Sequence, residues 1–201
     1  VRDCLDAARR TEAGIVADWD TEFLHDYRVA FRRARSVVSL FRGVYSDPVQ
    51  QDLRQTMREL MARTGALRDL DVHLLDRDAY FAGLPNELHE GLGLLFDRLT
   101  RTRAQEQRRL AKWFRSPAYS EAITALAHRF EEPVRVETGP NGSRAIEDVL
   151  HELLRRRWRS TRGAARRIGT ASPDEVIHDL RIRCKKLRYL LEFAAPVLGA
   201  A

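Results

Sequence analysis

Two eleven-residue segments of this 201-residue chain carry the same pattern, 153 positions apart. His25-Asp26-Tyr27-Arg28-Val29-Ala30-Phe31-Arg32-Arg33-Ala34-Arg35 aligns without gaps on His178-Asp179-Leu180-Arg181-Ile182-Arg183-Cys184-Lys185-Lys186-Leu187-Arg188. The shared pattern is H-D-x-R-[VI]-x-x-[RK]-[RK]-x-R. Chance likeness between two amphipathic helices supplies the apolar matches, but hardly the His, the Asp and the basic positions in register, so an internal duplication is expected. Only a helix gives the pattern a purpose. At 100° per residue, with His25 at 0°, Arg28, Arg32 and Arg35 fall within a stripe about 80° wide. Tyr27, Ala30, Phe31, Ala34, Val37, Val38 and Phe41 occupy an apolar arc on the far side. Arg33 lies apart, near 80°. The second copy inherits the geometry, with His178, Arg181, Lys185 and Arg188 as its stripe and Lys186 pointing partly away.

Helical periodicity dominates the rest of the chain, and start signals recur at Asp20-Thr21, Asp47-Pro48, Pro85-Asn86, Ser116-Pro117, Ser143 and Ser172-Pro173. The expected helices run over about 2–17, 21–43, 48–63, 67–81, 87–114, 118–130, 144–168 and 173–197. Val134-Arg135-Val136 is the sole strand candidate. Short connections favour antiparallel neighbours, so the expected class is all-α: antiparallel helical bundles with an internal pseudo-two-fold repeat. The organisation reads as a single domain over 1–201, with a first half to about 130, a Pro- and Gly-containing linker over 131–142 and a second half from 143 that looks truncated. The chain starts at Val1 and stops after Gly199-Ala200-Ala201, which suits a fragment of a longer protein.

Thirty-five Lys and Arg against 29 Asp and Glu leave a net charge of +6, and all but Lys112, Lys185 and Lys186 of the basic residues are arginine. GC-rich coding also favours arginine, so the count alone says little. Placement says more. His151, Arg155, Arg159, Arg162 and Arg166 share one helical face about 80° wide, away from Ile146, Val149, Leu150, Leu153, Leu154 and Trp158. No acid lies between Glu152 and Asp174. A solvated face normally interleaves carboxylates at i+4, and like charges at this spacing repel. Three such stripes point to a polyanion with closely spaced charges, which guanidinium binds in bidentate fashion and to which protonated histidine adds charge.

Other classes fit poorly. No apolar run is long enough to cross a bilayer and the first ten residues carry charges, so a cytoplasmic location without membrane contact is expected. Cys4 and Cys184 stand alone, against a disulfide framework or a structural zinc. No GxxxxGK[ST], GxSxG or HExxH sequence occurs, so no enzyme and no cofactor is expected. The two His-Asp dipeptides suggest a metal-dependent HD-type phosphohydrolase, but both lead straight into cations that would repel a metal. Asp69, Asp71, His73, Asp76 and Asp78 form an acidic cluster for which a metal is conceivable; a pairing or orienting role for Arg68 and Asp69 at a helix junction is the simpler expectation. His73, His89 and His128 read as ordinary helix histidines, and Trp19, Trp113 and Trp158 as core or packing residues. RNA or another nucleic acid remains the alternative ligand. Aromatic residues do not interleave with the stripes, which counts against base stacking.

At both histidine motifs the sequence resembles the CHAD domain, the conserved histidine α-helical domain family that binds inorganic polyphosphate. Gly65-Ala66-Leu67-Arg68-Asp69-Leu70-Asp71-Val72 is similar to the family's Gly-x-x-Arg-Asp segment, and Arg188-Tyr189 with Glu192 to its Arg-Tyr-x-x-Glu ending. The resemblance implies two pseudo-symmetric helical halves, a basic surface lined by the histidine-motif helices, and a non-catalytic module associated with polyphosphate metabolism or granules. It carries the binding role onto His25, Arg28, Arg32, Arg35, His178, Arg181, Lys185 and Arg188, more weakly onto Arg33 and Lys186, and onto Arg155, Arg159 and Arg162 of the preceding basic helix. Arg68 falls in a family segment and is included. The second half lacks a counterpart of Gly65 to Asp69, so a homo-oligomer in which another chain completes it is one expectation.

Overall fold

The computed structural model describes residues 1–131 and 136–199. Nine α-helices occur among them: α1 Arg2–Ala17, α2 Thr21–Leu40, α3 Asp47–Ala62, α4 Gly65–Leu75, α5 Arg77–Gly83, α6 His89–Phe114, α7 Pro117–Glu131, α8 Ile146–Ala165 and α9 Asp174–Leu198. A 3-10 turn spans Asn86–Leu88. The described residues hold no strand, only an isolated antiparallel bridge between Tyr45 and Thr138. Of the expected strand, Val134 and Arg135 lie outside the described residues, and Val136 is a bend.

Two boundaries depart from the periodicity. The expected helix 67–81 is broken at Asp76, whose backbone (φ −84°, ψ 5°) closes α4 and opens α5 in one step. Aspartate is a poor helix former because its carboxylate competes for nearby backbone groups. The expected helix 21–43 ends at Leu40 because Gly43 takes φ +78°, a left-handed turn that reverses the chain. Elsewhere the start signals act as read. The Asp20 carboxylate accepts the Glu22 N–H at 2.9 Å, and Ser116 Oγ accepts the Tyr119 N–H at 3.3 Å ahead of Pro117.

The helices group into two compact units that do not follow chain order. The N-terminal unit comprises Arg2–Arg32 and the described residues of Gln55–Glu132; the C-terminal unit comprises Val1, Arg33–Arg54 and the described residues of Pro133–Ala201. Thus α2 and α3 contribute residues to both.

In the N-terminal unit α1 packs on α6 and α7, and α4 on α6. The apolar arc of α2 supplies Leu24, Tyr27 and Phe31 to a core with Leu5, Met57, Phe96, Phe114 and Tyr119. Its aromatic centre is close-packed: the Tyr27 ring lies 4.7 Å from Phe31 and 5.3 Å from Phe114, and Phe114 lies 4.7 Å from Tyr119. The two phenols meet at 3.4 Å, and Tyr119 donates to Glu12 Oε1 at 2.5 Å. Burial raises both phenols and Glu12 above their ordinary values. Arg103 of α6 ties the unit together, donating from both terminal nitrogens to Asp18 and from Nε to Asp71 at 2.9 Å.

In the C-terminal unit α8 and α9 pack along Val149, Leu150, Leu153, Tyr189, Leu190 and Ala194, with Leu40 and Phe41 against them. This contact is why 33–54 groups with the C-terminal helices. A loop pairing adds to it: Gly139 N–H donates to Val44 O at 3.0 Å and Ser46 N–H to Glu137 O at 3.1 Å. A Cβ on Gly139 would lie 2.5 Å from the carbonyl oxygens of both Gly43 and Tyr45, so this crossing requires glycine.

Two of the three tryptophans are not core residues. Trp19 is 69% exposed at the α1–α2 turn, touching Phe23 edge-on at 5.7 Å, and Trp158 is 56% exposed on α8. Trp113 does pack, 4.7 Å from the Tyr119 ring. Trp19 sits beside Asp18, whose positive φ of 55° turns the chain outward. On α8, Trp158 falls about 20° from the His151 direction, at the margin of the cationic face rather than in the apolar arc.

Candidate anion-binding surface

In the N-terminal unit the basic group is built around the α3–α4 junction. Thr64, fully buried there, donates from Oγ1 to Met61 O at 2.7 Å. Arg28, one stripe residue of α2, donates from Nη1 to that same Oγ1 at 2.7 Å and to Met61 O at 3.2 Å. The guanidinium is therefore held by neutral oxygens, which fix its position without cancelling its charge. Burial lowers its affinity for its own proton, and Arg32 and Arg68 act in the same direction against Asp69. Arg68 of α4 lies 3.9 Å from Glu22 Oε1, and its Nη1 is buried without a hydrogen-bond partner. Arg28, Arg32 and Arg68 thus form one cluster of like charges, in which Arg68 keeps a buried donor without a hydrogen-bond partner; an anion placed among them relieves both the repulsion and that missing bond.

His25, half-buried, stands apart in character. Its ring and the Glu22 and Asp26 carboxylates bring donor atoms within 4.8 Å of one another, the sole group of three or more metal-type donors among the described residues. The first histidine motif is therefore not surrounded by cations alone, as its sequence suggests. Glu22 also suits the positive end of the α2 dipole. The acidic run from Asp69 to Asp78 does not converge into such a group. Asp71 is buried against Arg103, and Arg68 approaches Glu22 rather than Asp69, which acts on Arg28 instead.

In the C-terminal unit, α8 exposes His151, Arg155, Arg159 and Arg162, and α9 exposes His178, Arg181, Lys186 and Arg188, with Lys185 half-exposed. Among the described residues no carboxylate pairs with Arg155, Arg159, Arg162 or Arg181. Arg188 differs: its Cζ lies 5.0 Å above the Tyr189 ring, and its Nη1 is 3.1 Å from Glu192 Oε1. The other oxygen of Glu192 accepts from Arg33 Nη2 at 3.2 Å. Lys185 Nζ also lies over Tyr189, at 5.9 Å. Arg33, off the stripe by periodicity, thus ends beside Arg188 through a shared carboxylate. Arg35 is half-buried in this unit.

Sequence reasoning missed Thr64 as the clamp for Arg28, and it missed the arginines Arg42, Arg157 and Arg183. A signal existed for two of them. Arg157 and Arg183 each interrupt the apolar arc of their helix, and an arginine at a core position needs a reason.

The CHAD domain family model matches the chain over residues 1–201. Among solved structures, the CHAD domain from the plant Ricinus communis is 25% identical, with a TM-score of 0.70 over 94% of this chain and 61% of that one. The chain therefore spans about three fifths of that relative's length. PptA from Streptomyces chartreusis shares the fold, with a TM-score of 0.58 at 17% identity, covering 96% of this chain and 74% of its own. No curated protein matches the sequence.

Proposed function

Since the chain belongs to the CHAD domain family, we propose that it is a non-catalytic module binding inorganic polyphosphate through the cationic faces of α2, α8 and α9. The residues that would carry this are His25, Arg28, Arg32 and Arg68 in one unit and Arg35, Arg155, Arg159, Arg162, His178, Arg181, Lys185 and Arg188 in the other. The observation that carries the reading is the state of Arg28. A half-buried guanidinium beside two further arginines, hydrogen-bonded to a hydroxyl and a carbonyl rather than to a carboxylate, is a positioned charge that Asp69 offsets only in part. Such a group costs stability in the free protein and recovers it when an anion arrives. Rows spaced one helical turn apart, without interleaved acids on α8, suit a ligand whose charges repeat along a chain. Attachment to polyphosphate granules would follow from the same contacts.

The test is polyphosphate affinity of folded Arg28→Glu and Arg181→Glu proteins. Each should bind at least about tenfold more weakly, since one attractive contact becomes a repulsive one; unchanged affinity in both would remove the assignment. Exposed Trp158, at the margin of the α8 row, is the one feature that favours single-stranded nucleic acid, because bases stack on such a ring. Competition at equal phosphate concentration decides: RNA that displaces bound polyphosphate makes nucleic acid the ligand.

A further inference from the structure

Each helix of the α8–α9 pair carries arginine on the side away from its stripe. Taking His151 as 0°, the α8 stripe spans 0–80°, whereas Arg156, Ser160 and Arg157 fall at about 140°, 180° and 240°. Taking His178 as 0°, Arg183 falls at about 140°, opposite the α9 stripe. In the sequence alignment of the two motifs Arg183 stands where α2 has Ala30, a buried core residue. The structure joins these positions. Arg183 Nη1 donates to Ser160 Oγ at 2.7 Å, which fixes the α9 arginine onto α8. Arg157 is half-buried, and its Nε is fully shielded from solvent without a hydrogen-bond partner. Arg156, Arg183 and Arg42 all act on it, and each is a cation. Arg42 follows the end of α2, and its carbonyl accepts from Asn141 Nδ2 at 2.8 Å, so its backbone is anchored. Among the described residues no carboxylate pairs with any of the four.

We infer that Arg42, Arg156, Arg157 and Arg183 form a binding site for a single phosphate group, separate from the stripes. Four guanidiniums gathered without a counter-charge repel one another, and the shielded Arg157 Nε lacks an acceptor. One compact oxyanion with several acceptor oxygens answers both deficits, and guanidinium matches its geometry in pairs. The helix stripes present charge along a line, whereas this group draws on α8, α9 and the loop after α2, with Arg183 bonded to Ser160 beside the unpartnered Arg157 Nε and Arg42 and Arg156 acting on the same guanidinium. A line suits a chain; a convergent set suits one tetrahedral group. Its source is either free phosphate or the end of a longer phosphate chain. The inference does not depend on the stripe reading, since it uses none of the stripe residues.

The experiment follows thermal unfolding with added orthophosphate and, separately, tripolyphosphate, at fixed ionic strength set by sodium chloride. The wild-type protein and the Arg28→Glu,Arg181→Glu double variant should both rise in Tm with at least one of the two anions. Arg42→Ala and Arg183→Ala should each lose most of that rise. Arg157→Gln should lose it too, and if this half-buried change prevents folding, the two exposed-loop and α9 variants suffice. A rise with orthophosphate identifies the free anion; a rise with tripolyphosphate alone identifies a chain end. No rise in the wild type, or a full rise in both Arg42→Ala and Arg183→Ala, overturns the site. Long-chain polyphosphate binding, measured in parallel, distinguishes the two claims: its persistence alongside such a result leaves the stripe reading standing and removes only this one.

Discussion

Arg33 and Glu192 meet at 3.2 Å although 159 positions separate them, and the second oxygen of the same carboxylate lies 3.1 Å from Arg188. One acid thereby holds two of the basic motif residues, one from each copy of the pattern. Replacing it with a neutral amide should free both cations. Glu192→Gln is expected to strengthen polyphosphate binding about threefold to tenfold at low salt, corresponding to roughly 1 kcal/mol for a partly exposed pair. The gain should shrink as salt is raised, because the charges are partly exposed. Titration at two ionic strengths measures it, and weaker binding by the variant would mean that Glu192 positions the arginines rather than competes for them.

Binding through the stripes should be salt-dependent in a countable way. If Arg181 contacts one phosphate, Arg181→Ala should lower the magnitude of the slope of log affinity against log salt by about one. The slope of Trp158→Ala should not change. Equal slopes for Arg181→Ala and wild type would place Arg181 outside the contact.

Arg103 neutralises an Asp71 that is only 1% exposed while also gripping Asp18. Burial pushes the Asp71 carboxyl up and Arg103 pulls it down. Arg103→Met should leave a buried charge without its partner and cost about 3–5 kcal/mol. Urea unfolding reads the loss directly. Arg103→Lys, which cannot reproduce the fork, should fall between the two.

Glu12 gives a stability effect with a definite sign. Its pKa is raised, chiefly by burial, with the Tyr119 hydrogen bond and Arg9 opposing. The folded protein therefore keeps the proton longer than the unfolded chain does. The contribution of Glu12 to stability is most favourable at low pH and declines as pH rises from its ordinary carboxyl value through the raised one. Glu12→Gln keeps an acceptor for Tyr119 and removes the titration. Relative to wild type the variant should gain stability as pH rises from the ordinary carboxyl range through the raised value. Melting curves at several pH values check this; a constant difference would show that Glu12 does not titrate differently on folding.

The Gly139 crossing predicts a local backbone defect. Gly139→Ala places a methyl against two carbonyl oxygens 2.5 Å away, so the loop must separate from 43–46. A loss of about 1–3 kcal/mol is expected, with faster amide exchange at Gly139 and Ser46, whose N–H groups bond across this pairing.

Much of the candidate site was legible because helical geometry is rigid. Once residues 21–40 are a helix, 100° per residue puts Arg28 and Arg32 together whatever the rest of the chain does. The same arithmetic gives the α8 row and the buried arc from Leu24 to Phe31. Where the reading failed, the deciding force acted between distant segments. Trp158 is the exception: it looks like a packing residue by type, yet the same 100° arithmetic already puts it at the margin of the α8 row, where it is exposed. Arg33 lies off the stripe by angle, yet Glu192 brings it beside Arg188.

The amino-acid sequence by itself determined the all-helical class, most helix boundaries and which basic residues share a helix face, because these depend on interactions within a turn or two of helix. Tertiary structure alone decided which charges are compensated. Whether Arg28 meets a carboxylate or the Thr64 hydroxyl, and whether Arg157 and Arg183 converge with Arg42 or scatter, depends on packing between helices far apart in the chain. A charge's energy is set by its burial and its nearest partners, and neither can be read along a single helix.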